Sequence, residues 1–306
     1  MLSENTKGHL AAIIGNVIFG LNISVVRSLF TGSWITIPGF AISRVIICLA
    51  VYWLIGLFRP REKILPMDMV IILIAGFFGI FVPLIMFPAA IRLITPVTVS
   101  LISALLPIAV LLLSAILLKE KLSVKKTIGV ILGISGAFLV VINAKSGFQS
   151  QGSILGIFFA VINILCVAAY YVMLRKTSES YSTAVMMKWI YLMSIILITP
   201  YGSSDLPQQR VFSQDVTILP MLQFGFTLLL TNILGMFLIP VALNRIKPTT
   251  VSIYNNLQPL VASAVAIIIG QDVFTWDKPL ALVLIVSGVF IVTQTKSRKP
   301  GVKEVV

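Results

Sequence analysis

Apolar residues in this chain do not alternate or recur every third or fourth position; they run on without a break. Mostly apolar stretches occupy 9–29, 36–58, 67–88, 95–118, 124–142, 152–175, 181–201, 218–242, 249–269 and 278–295. A helix rises about 1.5 Å per residue, so roughly 20 such residues cross the ~30 Å hydrocarbon core of a bilayer. Lipid offers no partner for backbone N–H and C=O groups, and stretches of this length satisfy them as helices. The pattern therefore predicts an all-α membrane protein with ten transmembrane helices. The links between stretches are short and leave no space for a soluble domain.

Composition agrees with that solvent. Of the 306 residues, 58% are hydrophobic and 11% charged, and the mean hydropathy is +1.06. Soluble domains carry about 25% charged residues. The net charge of +13 raises the question of nucleic acid, and the placement of the basic residues answers it. With the N-terminus inside, the cytoplasmic links hold Lys7, Arg59, Arg61, Lys63, Lys119, Lys121, Lys125, Lys126, Arg175, Lys176, Arg245, Lys247 and the tail Lys296, Arg298, Lys299 and Lys303. The outer links hold Arg92, Lys145, Arg210 and Lys278. This asymmetry predicts both termini on the cytoplasmic side of the inner membrane. The basic excess then serves topology and anionic lipid, and no nucleic-acid partner is expected.

The first apolar stretch continues through Phe19-Gly20-Leu21-Asn22 without a small-residue cleavage pattern, so it reads as a retained helix. Cys48 and Cys166 fall inside predicted spans and read as small apolar side chains. One histidine, His9, and no carboxylate within the spans leave no ordinary metal site, and no cofactor is expected.

The chain also repeats itself. Residues 94–107 read ITPVTVSLISALLP, and residues 246–259 read IKPTTVSIYNNLQP. Holding that 152-residue offset from Pro88 to Val140 without a gap, sixteen of 53 positions are identical. Pro88/Pro240, Pro96/Pro248, Pro107/Pro259 and Ser135-Gly136/Ser287-Gly288 are among them. Spans 3–5 thus pair with spans 8–10, giving repeats at 1–146 and 147–306, the second ending in a short basic tail. Five is odd, so the second unit enters the bilayer from the opposite face. Inverted repeats are a recurrent build of secondary transporters, with the substrate near mid-membrane between the halves.

At nearly full length the chain resembles an EamA-type member of the drug/metabolite transporter superfamily. The residues that carry the resemblance are Phe19-Gly20-Leu21-Asn22 with Arg27, Arg44, Leu118-Lys119-Glu120-Lys121-Leu122-Ser123 with Gly129, Gly133 and Gly136, and Arg175-Lys176. In the second repeat Asp272 takes the acidic position, and Ala281 stands opposite Gly129. The resemblance implies a ten-helix carrier exporting or exchanging small metabolites, its cavity lined chiefly by spans 1, 3, 4, 6, 8 and 9.

Polar residues in hydrocarbon turn toward the bundle interior or a wet cavity. Tyr254, Asn255, Asn256 and Gln258 cluster before Pro259, where the first repeat has Ile102, Ser103, Ala104 and Leu106. In a regular helix Tyr254 and Gln258 are i,i+4 and Asn255 and Gln258 i,i+3, so one face presents three of the four. Asn22, Asn163 and Asn232 lie mid-span as further candidate cargo contacts; interhelical hydrogen bonding is the alternative for each. Arg44 and Lys188 lie several residues into spans 2 and 7. They either anchor to headgroups or meet a cargo carboxylate or phosphate, and Arg27 divides the same way. Glu120 reads as a helix cap, and Tyr170 as an interfacial aromatic.

None of the ten acidic residues lies in the middle of a span, so coupling through a buried carboxylate is not expected. The sequence-level expectation is a carrier for an amino-acid-like or organic-anion-like metabolite, working as exporter, facilitator or exchanger by alternating access. The rival is a flippase for a lipid or lipid precursor. An intramembrane enzyme lacks its catalytic constellation. The remaining partners are membrane lipid and, in a homodimer, a second copy; a monomer fits the sequence equally.

Overall fold

The computed structural model describes residues 4–58, 62–117, 123–144, 152–177, 180–213, 215–235 and 254–294, with short pieces at 238, 241–242 and 245–246. Outside them lie Glu120, Arg59, Arg61, Lys119, Lys121, Lys145, Lys247, Lys296, Arg298, Lys299, Lys303, Pro240 and Pro248, together with the side chains of Arg175 and Lys176.

The described chain is helical throughout, with no strand among the described residues. Helices α1 (Glu4–Thr31) and α2 (Ile37–Leu57) are each continuous. The third predicted span is α3 (Pro66–Gly76) and α4 (Val82–Leu93), joined by a π-helical turn at Phe77–Phe81. The fourth is α5 (Pro96–Ser103) and α6 (Leu106–Leu117), broken at residues 104–105. Then follow α7 (Val124–Ala144), α8 (Gly152–Thr177) and α9 (Thr183–Gly202). Helix α10 (Ile218–Gly225) runs into a π segment at Phe226–Gly235, and α11 (Leu257–Ile268) and α12 (Asp277–Gln294) complete the described helices. Helix starts are written in the sequence: Pro38, Pro66 and Pro96 each occupy a first turn. Their missing N–H costs nothing there. Thr36 and Thr95 cap the starts of α2 and α5 through the amides of Gly39 and Thr98.

Six stretches are individually long and apolar enough to cross a membrane: Asn5–Thr31, Ile37–Leu57, Pro66–Leu93, Pro96–Ile116, Ala184–Gly202 and Ile218–Gly235. Helices α7, α8 and α12 overlap the predicted spans 124–142, 152–175 and 278–295, while α11 covers only 257–268 of the predicted 249–269, whose residues 249–253 lie outside the described ones.

Helix α2 packs on α9 and α7 on α12; α1 packs on α11 and on the Phe226–Gly235 segment, while α8 packs on α6 and on α4. The tightest seam is α7 with α12. A Cβ on Gly288 would stand 2.5 Å from the Gly129 carbonyl oxygen, and one on Gly136 would stand 2.8 Å from the Ala281 oxygen. Only glycine permits this approach of backbone to backbone. Buried apolar side chains form separate clusters: one joins α1, α4, α5 and α8, a second α2, α3 and α9, a third α5–α7, α11 and α12.

Candidate functional site

A helix break in the first repeat and a turn ahead of α11 in the second face each other across a cavity. In the first repeat, Ala104 and Leu105 close a turn through Leu105 N–H to Ile102 O at 3.0 Å, and α6 restarts with Pro107 in its first turn. In the second, Asn255 and Asn256 form a turn, Gln258 N–H donates to Asn255 O at 3.1 Å, and α11 restarts ahead of Pro259. Proline lacks the N–H that would continue each helix and disfavours helical backbone at the residue before it.

The cavity between these breaks measures about 110 Å³. Its wall comprises Ser100, Ser103, Ala104, Leu106 and Pro107 from the first break, Asn255, Gln258 and Pro259 from the second, and Asn163, Ile164 and Val167 from α8. Ligand clefts are commonly about 300–1,000 Å³. The space is therefore sized for water or a small solute, and a larger ligand would require the helices to part.

Every polar group on the wall is a neutral hydroxyl or carboxamide. The Ser100 hydroxyl donates to Val97 O at 2.8 Å, which leaves its lone pairs for the cavity. Asn163 is 9% exposed, and its Oδ1 has no hydrogen-bond partner. Gln258 Nε2 donates to Asn16 Oδ1 at 2.7 Å, tying α11 to α1. Asn16 is fully buried and donates from Nδ2 to Ala12 O at 2.8 Å. Gly20, one turn further along α1, lets the helices meet: a Cβ there would stand 2.8 Å from Val261 Cβ and 3.0 Å from Gln258 O.

The structure thus brings Asn163, Asn255 and Gln258 together and separates the other sequence candidates from them. Tyr254 faces α1 as Gln258 does, but it lies off the cavity wall. Its hydroxyl meets His9 Nδ1 at 2.9 Å, with the rings edge-on, at the N-terminal end of α1. Asn256 stands at the start of α11 and is absent from the cavity wall. Asn232 is 2% exposed and donates to Thr227 O at 2.7 Å inside its own π segment. Asn22 is half-buried on α1, its Oδ1 without a hydrogen-bond partner, and lies off the wall.

The cations also stand apart. Arg27 reaches from α1 to the carbonyls of Ile91 and Arg92, both at 2.5 Å, and so caps the end of α4. Lys188 sits 3.9 Å above the Trp53 ring and 5.7 Å from that of Trp189. Arg44 is half-buried on α2, its Nε without a partner and outside the wall. Tyr170, expected at the membrane interface, packs among the buried side chains of α2, α3 and α9. Asp272, in the link between α11 and α12, joins Lys278 in the first turn of α12 at 2.6 Å. Spans 4, 6 and 9 supply the wall and span 1 backs it; spans 3 and 8 do not contribute. Ser100, Ser103 and Asn16 are the site residues that sequence reasoning passed over.

The described residues contain no cluster of three or more side chains suited to a metal ion. Among curated proteins, the "Uncharacterized transporter YetK" of Bacillus subtilis (strain 168) is 21% identical over 76% of this chain and 70% of its own length. A crystal structure of a protein matches 92% of this chain and 98% of its own with a TM-score of 0.58 at 19% identity, a likeness of fold. The model of the EamA-like transporter family matches twice, over residues 6–142 and 154–294. With six helices long and apolar enough to cross a membrane among the described residues, this chain is a multi-pass membrane protein, and it belongs to the EamA-like transporter family within the drug/metabolite transporter superfamily.

Proposed function

We propose that the chain carries a small polar metabolite across the cytoplasmic membrane by alternating access, with both termini in the cytoplasm. The observation that bears the most weight is the cavity between the two helix breaks, walled by neutral amides and hydroxyls at the centre of a repeated sequence. Ser103 and Asn255, Leu106 and Gln258, and Pro107 and Pro259 are pairs at the 152-residue offset, so each repeat offers its own break to one shared space.

The helix pairing supports two inverted five-helix repeats. Exchanging span n with span n + 5 leaves α2–α9 and α7–α12 as they are. The same exchange turns α1–α11 into α8–α6, and the contact of α1 with Phe226–Gly235 into that of α8 with α4. The glycine seam obeys the same rule, since Gly129 against Gly288 becomes Ala281 against Gly136. The two family matches, over 6–142 and 154–294, divide the chain in the same way. Halves with like contacts can trade conformations, opening the cavity to one face and then the other.

An uncharged wall favours a zwitterionic, amino-acid-like or neutral cargo over an organic anion, since Arg44 and Lys188 stand outside it. The test is counterflow in proteoliposomes with radiolabelled amino acids and small polar solutes. Saturable exchange by the wild type, reduced at least tenfold by Gln258→Leu and by Asn163→Leu at unchanged protein yield, is the expected result. Labelled-lipid movement with no soluble flux would replace the carrier by the flippase.

A further inference from the structure

The Asn16–Gln258 pair has a direction, and the direction is set outside the cavity. The Ala12 carbonyl oxygen can only accept a hydrogen bond, so the Asn16 amide must turn its NH2 group toward it, as found at 2.8 Å. That leaves Asn16 Oδ1 on the other side, where Gln258 stands at 2.7 Å. An oxygen there accepts only a donor, so Gln258 is bound to present Nε2 to Asn16 and keep Oε1 for the cavity. A free glutamine presents either end of its amide with equal ease. This one is polarised through a chain that begins at a helix carbonyl.

Two further wall groups share that polarity. Ser100 has spent its hydrogen on Val97 O and offers only lone pairs, while the buried Oδ1 of Asn163 lacks a donor. We infer that Asn16 is a positioning residue which holds Gln258 carbonyl-first, so that the cavity selects cargo by the hydrogen-bond donors it carries. This rests on the carrier reading above for its cargo clause and on geometry alone for its orientation clause. A solute whose donors are blocked leaves the acceptor oxygens of Gln258, Ser100 and Asn163 unpaired, and this part of the wall disfavours it.

Two measurements on the full-length protein test the two clauses. The first reads the Gln258 side-chain amide by NMR in micelles after selective 15N-glutamine labelling, its signal assigned by its loss in Gln258→Leu. The expected signal is shifted downfield and protected from exchange in the wild type, and ordinary and unprotected in Asn16→Leu. A mobile, unprotected Gln258 amide in the wild type overturns the proposal, whether or not the variant folds.

The second uses two isomers of equal composition, L-threonine, which keeps a hydroxyl donor, and O-methyl-L-serine, which lacks it. Wild-type counterflow should favour L-threonine about tenfold in kcat/KM, the order expected of one hydrogen bond. Asn16→Leu should bring the ratio below about threefold, since Gln258 can then turn its amide to either isomer, whereas Asn16→Asp, which still accepts from Gln258, should retain the wild-type ratio. An unchanged ratio in Asn16→Leu, or a wild-type preference for the methyl ether, overturns the proposal. Absence of flux for both isomers counts against the carrier reading and takes the cargo clause with it, and the NMR signal still decides the orientation.

Discussion

Two of the seams between the repeated halves of this sequence are built from opposite materials. Between α7 and α12, glycines bring backbone against backbone, at Gly129 with Gly288 and at Gly136 with Ala281. Between α1 and α11, carboxamides meet, Gln258 bonding Asn16 beside a turn at Asn255 and Asn256. The first seam owes its cohesion to van der Waals contact over continuous helices, which membrane helices use in place of a hydrophobic driving force. The second runs along a helix that begins at a turn and borders a cavity. A close-packed seam has one good arrangement, and a hydrogen-bonded seam next to space can exchange partners. In the carrier proposed above, the fixed and the moving parts would differ in this way and lie on these different helix pairs.

The sharpest way to break the contrast is to enlarge a glycine on the tight side. Gly288→Leu drives a side chain into the Gly129 carbonyl and the backbone of Gly133, 2.5 and 2.6 Å from the Cβ alone. Neither neighbour is a flexible side chain, so the helices must separate. Loss of most folded protein, seen as collapse of the monodisperse peak in fluorescence size-exclusion chromatography, is the expected outcome. Gly225→Ala is the matched control, because nothing lies within 4 Å of its Cβ. It should leave the peak intact and gain up to about 1 kcal/mol from helix propensity. A tolerated Gly288→Leu would mean that the seam is not the rigid part.

The next effect falls on the broken side. Pro107→Ala and Pro259→Ala each restore an N–H that lets a helix run back through its break. Either change should straighten a wall segment, narrow the cavity and lower flux about three- to tenfold, with thermal stability equal or higher by about 1 kcal/mol. Tm and counterflow measured on the same preparations separate this from unfolding. Unaltered flux in both would remove the breaks from the mechanism.

How far the sequence foretold this arrangement depends on which force wrote it. The helices were legible because bilayer thickness fixes the length of an apolar run. The tight seam was partly legible, through the glycines that repeat at the 152-residue offset. The site was legible only where a polar residue has no local partner. Asn255 and Gln258 stood out for that reason, and both reach the cavity. Ser100 did not, since a serine in a helix ordinarily bonds a carbonyl of its own turn, as this one does with Val97. Asn16 resembled Asn22, six residues further along the same helix; only the crossing of α1 over α11 separates the one that touches Gln258 from the one that does not. Tyr254 faces α1 with Gln258 but pairs with His9 nearer the end of that helix, off the cavity wall, a distance along the helix that hydropathy does not encode. The π segments Phe77–Phe81 and Phe226–Gly235 had no signal in hydropathy, although residues 77–81 moved by 152 fall within the second.

The smallest expected effect tests the cation that the sequence offered as a cargo contact. Lys188 lies in the α2–α9 seam, its ammonium 3.9 Å above the ring of Trp53, and no cavity-wall residue comes from either helix. A cation over an indole face contributes about 0.5–2 kcal/mol, more as water is excluded. Lys188→Met keeps the length and apolar stem of the side chain and removes only the charge. It should cost about 1 kcal/mol, a Tm decrease of a few degrees, and leave counterflow within a factor of two. Trp53→Leu should cost a similar amount, and the double variant little more than either single change, because each removes the same contact. Should Lys188→Met instead abolish flux at an unshifted Tm, its charge serves the cargo, and the α2–α9 seam joins α1–α11 among the parts that meet it.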